Sequence, residues 1–228
     1  MPGQGYVFDL DQIHRTVPRF LWSPDGQYIA FRAGVEGISV IRSDGSGKPQ
    51  PLIQSKNFQL PWSFAPDGKQ LAFMEEGPET GSDLWTIPLE SDSVGLRAGK
   101  PEVFLQTPAN EAGPSFSPDG RWLAYWSDES GTNQVYVRAF PDKGGKWQIS
   151  NGGGVWPMWS RNGRELFFET LDNYIMVAAY TGKGDSFEAD KPRMWSEKLV
   201  NGLMGRSITS SNTGWMYRDR KNANAQQK

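Results

Sequence analysis

Cysteine is missing from this chain of 228 residues. Its absence excludes disulfides, thiolate metal sites and a cysteine nucleophile, and it leaves the redox compartment open. Histidine is almost as scarce, with His14 alone. A Ser-His-Asp triad would have to use it, and no G-x-S-x-G elbow presents a nucleophile. Its neighbourhood, "QIHRTVP", reads as an outer strand, which makes His14 a surface or cross-strand residue. No apolar run approaches the roughly 18 residues that a membrane helix needs. The first residues, "MPGQGYVFDL", lack the basic and apolar regions of a signal peptide. Neither sign of charge dominates: 24 Lys and Arg face 26 Asp and Glu, for a net charge of −2. A nucleic-acid binder would show a basic face or stripe, so that class is set aside. The "GGG" at 152–154 lacks the Gly-Lys-Ser/Thr that completes a phosphate loop. No cofactor and no metal are expected.

What the chain has in quantity is turn formers and aromatics. It carries 26 Gly, 16 Pro, 10 Trp, 12 Phe and 7 Tyr, an all-β composition. These residues recur with a period. Gly26, Gly68, Gly120 and Gly163 close the strings "SPDG", "APDG", "SPDG" and "SRNG" at spacings of 42, 52 and 43 residues. Four residues before each Gly stands an aromatic: Trp22, Phe64, Phe116 and Trp159. After each turn comes a hydrophobic triplet, as in Leu71-Ala72-Phe73. A third strand follows ("GISVIRS", "DLWTIPL", "QVYVRAF", "YIMVAAY"), then a short fourth. Four short strands per 40–50 residues mark the blades of a propeller. A single blade cannot bury both of its faces, so blades stack around an axis and their sequences repeat.

The ends of the chain look complementary. Residues 208–217, "ITSSNTGWMY", align without a gap to "WSPDGQYIAF" at 22–31, with Asn212 in the Gly26 place. "GYVFDLD" at 5–11 and "IHRTV" at 13–17 read as a third and a fourth strand. The expectation is four whole blades, at about 18–60, 61–112, 113–155 and 156–204, plus a composite blade from 5–17 with 205–220. The ring would then have five blades; the alternative is part of a six-bladed ring.

The strings "WSPDG", "SFSPDGRWLAYWSDESG" and "GYVFDLD" resemble the TolB-type β-propeller repeat. The stretch "GGGVWPMWSRNGRELFF" is similar to propeller segments at the C-terminal end of some bacterial Ser/Thr kinases. The resemblance covers nearly the whole chain. It implies a non-enzymatic binding module, a periplasmic or extracytoplasmic scaffold or sensor, with a protein or peptide partner rather than a small molecule. Membrane insertion is not implied, and a closed composite blade implies a monomer.

Three candidate groups remain. Asp25, Asp67, Asp119 and Asn162 occupy one place in the repeat. A ring of ligands would keep its charge, whereas Asn162 fits a turn and carries none; these are read as type I turn residues. The second group lies just upstream, where chain enters the channel mouth. There Trp62 and Trp156 stand at places aligned with Arg206 and Arg19, and Glu111 is the nearest acid. Residues that break the repeat at a channel-facing place are the binding candidates: Arg19, Trp62, Glu111, Trp156 and Arg206. Catalytic residues are not assigned. A propeller glycoside hydrolase would need two channel carboxylates about 5–9.5 Å apart, and no inner strand offers them. The third feature is a set of about ten extra residues in the second unit, in "EEGPETGSD" and "LESDSVGLRAGKP", read either as a partner-binding loop or as a tolerated insertion.

Overall fold

The computed structural model describes residues 20–32, 37–92, 95–196 and the strand pair at 210–211 and 214–215. All its regular structure is β. The first sheet runs β1 (Phe20–Trp22), β2 (Tyr28–Arg32), β3 (Ile38–Arg42) and β4 (Gln50–Ile53). In the second, β5 (Gln59–Phe64), β6 (Gln70–Gly77) and β7 (Gly81–Ser91) are followed by β8 (Leu96–Ala98) and β9 (Glu102–Leu105), both paired with β7. The third holds β10 (Glu111–Phe116), β11 (Trp122–Ser127), β12 (Gln134–Ala139) and β13 (Lys146–Gln148). The fourth holds β14 (Val155–Trp159), β15 (Glu165–Glu169), β16 (Ile175–Lys183), β17 (Ser186–Ala189) and β18 (Arg193–Ser196). Every pairing is antiparallel. The first strands of successive sheets, β1, β5, β10 and β14, lie beside one another. This is a fan of propeller blades with its innermost strands gathered at the axis.

The Pro-Asp-Gly turns show why the hairpins form where they do. Gly26, Gly68, Gly120 and Gly163 each donate their N–H to the carbonyl three residues back, at 2.9–3.0 Å. Each holds a positive φ of 66–72°, which a glycine adopts without steric cost. Oδ1 of Asp25, Asp67, Asp119 and Asn162 accepts the backbone N–H two residues on, at 2.9–3.1 Å. Ser23, Ser117 and Ser160 donate their hydroxyls to the same oxygens in three of the four turns. An amide oxygen serves in the fourth turn as the carboxylates do in the others. The Asp25 carboxyl is held below the usual carboxylate range, mainly by the Ser23 hydroxyl.

Between blades the core is aromatic and aliphatic. Leu71 and Phe73 of β6 pack with Ala30, Ile38 and Val40 of blade 1. Leu166 and Phe168 of β15 do the same against Trp122, Ala124 and Val137 of blade 3. The repeated aromatics Phe116 and Trp159 are buried in these joints, and the Trp159 indole donates to the Ser115 carbonyl of blade 3 at 2.8 Å. Trp22, at the same place in blade 1, is 55% exposed: it leads the first blade and no earlier described blade meets it.

The extra residues of blade 2 turn out to be neither a free loop nor filler. β7 outruns its partners and folds back as the β7–β8 hairpin, with Leu89 opposite Ala98. Leu89 and Leu96 join the core around Tyr28 and Val40 of blade 1. Blade 4 carries an equivalent device, in a stretch to which the repeat pattern assigns no strand. Its β16–β17 hairpin, with Gly182 opposite Phe187, lies over blade 3. Phe187 is 2% exposed, between Trp122, Trp147, Trp159 and Tyr180. A Cβ on Gly182 would stand 2.7 Å from the Trp122 indole nitrogen, so the hairpin needs glycine to come this close.

At the far end of the chain, β19 (Ser210–Ser211) pairs antiparallel with β20 (Gly214–Trp215), where the disguised fifth hairpin is expected. Ser210 stands opposite Trp215, whereas the repeat alignment would set Ile208 there. The rest of the composite-blade expectation, including 5–17, lies outside the described residues. The inner strands of blades 2 and 3 begin at Gln59 and Glu111, two residues ahead of the expected boundaries.

Candidate functional site

The inner strands have one end at the Pro-Asp-Gly turns. The other end is the mouth, where Trp62 and Trp156 stand. β5, β10 and β14 are each interrupted by a bulge near this end: between Pro61 and Ser63, between Ala112 and Ser115, and between Val155 and Met158. A bulge leaves its extra residue unpaired and re-aims its side chain. In blade 3 the bulge residue is Gly113, at φ 70°. At the aligned place in blade 4 stands Trp156, at φ 56°. A tryptophan in this region is uncommon, at a cost of about 1–3 kcal/mol that its surroundings must offset.

The surroundings are two more indoles. Trp62 and Trp156 stack with ring centroids 5.1 Å apart and planes at 25°. They come from blades 2 and 4, so the stack reaches across the front of blade 3. Trp126 of β11 meets Trp156 edge-on at 6.4 Å. Room for Trp126 comes from Gly113: a Cβ there would lie 3.0 Å from its ring. Phe58, Leu60, Met74 and Ala112 complete the patch. Its outer border carries Arg32, whose guanidinium sits 4.3 Å over the Phe58 ring. Trp62 is nearly buried, while Trp126 and Trp156 keep part of their surface in solvent.

Of the five binding candidates, the structure therefore brings together Trp62 and Trp156. Arg19 and Arg206 lie outside the described residues. Glu111 is corrected: it is fully buried, 0% exposed, and does not reach the mouth. Its side chain is occupied in fastening the crossing from blade 2 into blade 3, where Oε1 accepts the hydroxyls of Thr107 and Ser127. The neighbouring crossings are fastened in kind. Glu75 accepts from Asn57 and Gln59 before blade 2, and Gln134 accepts from Ser150 and from the Gly153 N–H before blade 4. Glu111 differs in that Oε2 finds no hydrogen-bond partner. Burial raises its carboxyl to about 7, with the like charges of Asp83 and Glu129 adding to the effect against the two hydroxyl donors. Asp83, 1% exposed, accepts from Thr80 and Gln106 at 2.6 and 2.9 Å. Among the described residues, no group of three or more His, Cys, Asp or Glu is placed to hold a metal ion. No helix long and apolar enough to cross a membrane occurs among them.

Trp126 and Arg32 escaped the sequence reading, yet the signal was present. Both stand six residues after the turn glycine, at a place filled by Arg32, Met74, Trp126 and Glu169 in the four blades. That place breaks the repeat as sharply as the Trp62 and Trp156 places do.

With this geometry in view, comparison with known proteins is decisive for the family. Residues 12–189 match the TolB beta propeller domain. The chain belongs to that family. Among solved structures, it is similar to a TolB candidate from Agrobacterium tumefaciens, with a TM-score of 0.56 and 22% identity over 74% of this chain and 62% of that one. TolB from Acinetobacter baumannii gives a TM-score of 0.51 at 18% identity, over 77% of this chain and 43% of that one. A puromycin-hydrolyzing peptidase of Mycobacterium tuberculosis gives 0.55 at 16% identity, over 76% and 31%. An uncharacterized protein of Agrobacterium fabrum is 28% identical over 116 residues, half of this TolB-like chain and 37% of its own length. The chain thus spans well under half of that relative and less than two thirds of the Agrobacterium structure. At these identities, the structural matches speak for the propeller alone.

Proposed function

We propose that this TolB-like propeller is a non-enzymatic binding module that takes an extended peptide or a protein segment at the tryptophan-lined mouth. The observation that carries the reading is the Trp62–Trp156 stack. Two residues that break the repeat, from blades that are not neighbours, converge there, and one of them is held at positive φ. Packing alone is met by Gly113 at the same place in blade 3, so a tryptophan at 156 asks for a further role. Tryptophan combines a large apolar surface with a polar N–H and dominates protein interfaces.

Trp156→Gly separates recognition from folding. Glycine is the residue that blade 3 uses there and suits the backbone. Peptides selected from a displayed random library on the wild-type chain should bind Trp156→Gly at least about tenfold more weakly, which is about 1.4 kcal/mol. The melting temperature should move by only a few degrees. Peptides that bind both chains equally would remove the mouth from the proposal.

A propeller hydrolase is the second reading, motivated by the hydrolase among the similar structures. It would require two carboxylates that face a substrate. The buried acids Asp83, Glu111 and Glu169 are at most 4% exposed. Turnover of chromogenic glycosides or aminoacyl substrates that Glu111→Gln abolishes would overturn the non-enzymatic reading. The family supports an extracytoplasmic, periplasmic setting, which fractionation of producing cells tests; recovery from the cytoplasm alone would count against it.

A further inference from the structure

The returning hairpins of blades 2 and 4 meet the blades they cover in different ways. In blade 2 the hairpin closes down: β8 lies beside β4, the outermost strand of blade 1. A Cβ on Gly95 would already stand 3.7 Å from the Gln50 side chain of β4. The hollow that remains there holds about 50 Å³. In blade 4 the hairpin stays open. Between β17 and β13, the outermost strand of blade 3, runs a groove of about 590 Å³. Phe187 and Trp147 form its floor, with ring centroids 5.7 Å apart, and Tyr180 lies beside them. Phe187 is buried, whereas Trp147 and Tyr180 keep part of their surface in solvent.

Both walls of the groove are sheet edges. β13 ends the strand order of blade 3, and β17 ends that of blade 4. Ile149 gives its N–H to the Val135 carbonyl at 2.8 Å, so by antiparallel alternation Gln148, opposite Tyr136, turns its N–H and carbonyl away from β12. Asp190 gives its N–H to the Ala179 carbonyl at 2.8 Å, so Ala189, opposite Tyr180, turns its own away from β16. Gln148 and Ala189 both line the groove. An edge of this kind is a template for one more strand, and the stretches 146–149 and 187–190 each offer roughly 13 Å of extended chain. The charge is one-sided. Lys146, the one cation among the lining residues, is engaged by Glu129 at 2.6 Å. Glu188 and Asp190 are exposed and have no ion-pair partner among the described residues.

We propose that the groove takes an extended segment of a partner protein that carries lysine or arginine at alternate positions. The segment adds as a strand along these edges, with main-chain hydrogen bonds for affinity and side-chain contacts for choice. Successive side chains of a strand point to opposite faces. Its cations meet Glu188 and Asp190, and the apolar side chains between them meet Trp147 and Tyr180. The groove lies on outer strands, away from the tryptophan mouth, so the proposal does not depend on what the mouth binds.

The probe is a labelled peptide of alternating lysine and valine, followed by fluorescence anisotropy, with a peptide of alternating glutamate and valine beside it. The lysine peptide should bind the unaltered chain and the glutamate peptide should not; no binding of the lysine peptide would overturn the proposal outright. Glu188→Lys with Asp190→Lys should weaken the binding at least about tenfold. Should that pair fail to fold, Glu188→Gln with Asp190→Asn gives the same comparison. Ala189→Pro should weaken the binding as much, since proline removes an outward N–H that β16 does not use and is tolerated at such an edge. These positions are exposed, so the melting temperature should move by only a few degrees. Glu90→Lys with Glu102→Lys, two exposed acids of blade 2, should leave the binding unchanged. Equal weakening by that pair would reduce the binding to net charge and overturn the proposal. Loss of binding in Trp156→Gly would overturn it by placing the peptide at the mouth, and full binding by Ala189→Pro would overturn strand addition. A dimer in light scattering that Ala189→Pro dissolves would give the edge to a second copy instead of a partner.

Discussion

Replacing Phe187 by alanine should lower the unfolding free energy by about 3–5 kcal/mol, the range for large aromatics removed from a close-packed site. For a chain of this size the melting temperature should fall on the order of 10 °C. The ring is 2% exposed and meets Trp122 at 5.1 Å, Tyr180 at 5.2 Å, Trp147 at 5.7 Å and Trp159 at 6.0 Å. These four come from two blades, so the residual cavity cannot collapse without moving both. The hairpin is also tied at its tip, where Lys143 bonds Asp185 at 2.6 Å and Arg121 donates to the Gly184 carbonyl. These exposed ties add little on their own. Lys183→Ala, an exposed change in the same hairpin, should stay within about 0.5 kcal/mol. Urea denaturation of the two variants gives the comparison. A Phe187→Ala loss under about 1 kcal/mol would mean that the hairpin merely rests on blade 3.

Glu111→Gln should change how stability depends on pH. The folded carboxyl titrates at about 7, above its ordinary value of 4.5, because the site is buried. The folded state therefore binds this proton more tightly than the unfolded chain does. The stability linked to it is full below the unfolded value and is lost as pH rises through about 7. The span corresponds to at most about 3 kcal/mol. The wild-type chain should thus weaken between pH 5 and 8, while Glu111→Gln, which keeps an amide oxygen for Thr107 and Ser127, should weaken much less. At pH 5 the two should agree to within about 1 kcal/mol, and at pH 8 the variant should be the more stable. Asp25, Asp44 and Asp128 are held below their ordinary range by hydrogen bonds, so their contribution is lost only in more acidic solution and does not overlap this window. Parallel pH profiles for the two chains would show that Glu111 stays charged in the fold.

The hairpins were legible because a turn is a local object. Ser, Pro, Asp and Gly in order determine the hydrogen bonds that close it, and nothing distant is needed. The mouth was legible where the repeat failed: Trp62 and Trp156 stood out against their counterparts, and the fold stacks them. Trp126 needed the same test at a different place in the repeat. Glu111 misled because sequence position puts it at the mouth, whereas strand alternation turns its side chain into the joint with blade 2. The β16–β17 hairpin stayed hidden because "TGKGDSFEAD" contains one large apolar residue. A single Phe187 gives no periodicity, and its four aromatic partners, from Trp122 to Tyr180, are spread over almost 60 residues of chain.

The two returning hairpins give the molecule a grain that differs from that of its sequence. Blade 2 clasps blade 1 through Leu89 and Leu96, and blade 4 clasps blade 3 through Phe187. Among the described residues the clasps thus come once in every two blades, at twice the spacing of the repeat that spells the chain. The joint between blades 2 and 3 carries no returning hairpin among the described residues; it is held instead by three clusters, around Phe116, Tyr125 and Trp62, and by Ser63, whose hydroxyl donates to the Pro114 carbonyl and accepts the Phe116 N–H. That joint runs beneath the tryptophan patch, so the rings themselves, Trp62 from one side and Trp126 from the other, take the place of a clasp there.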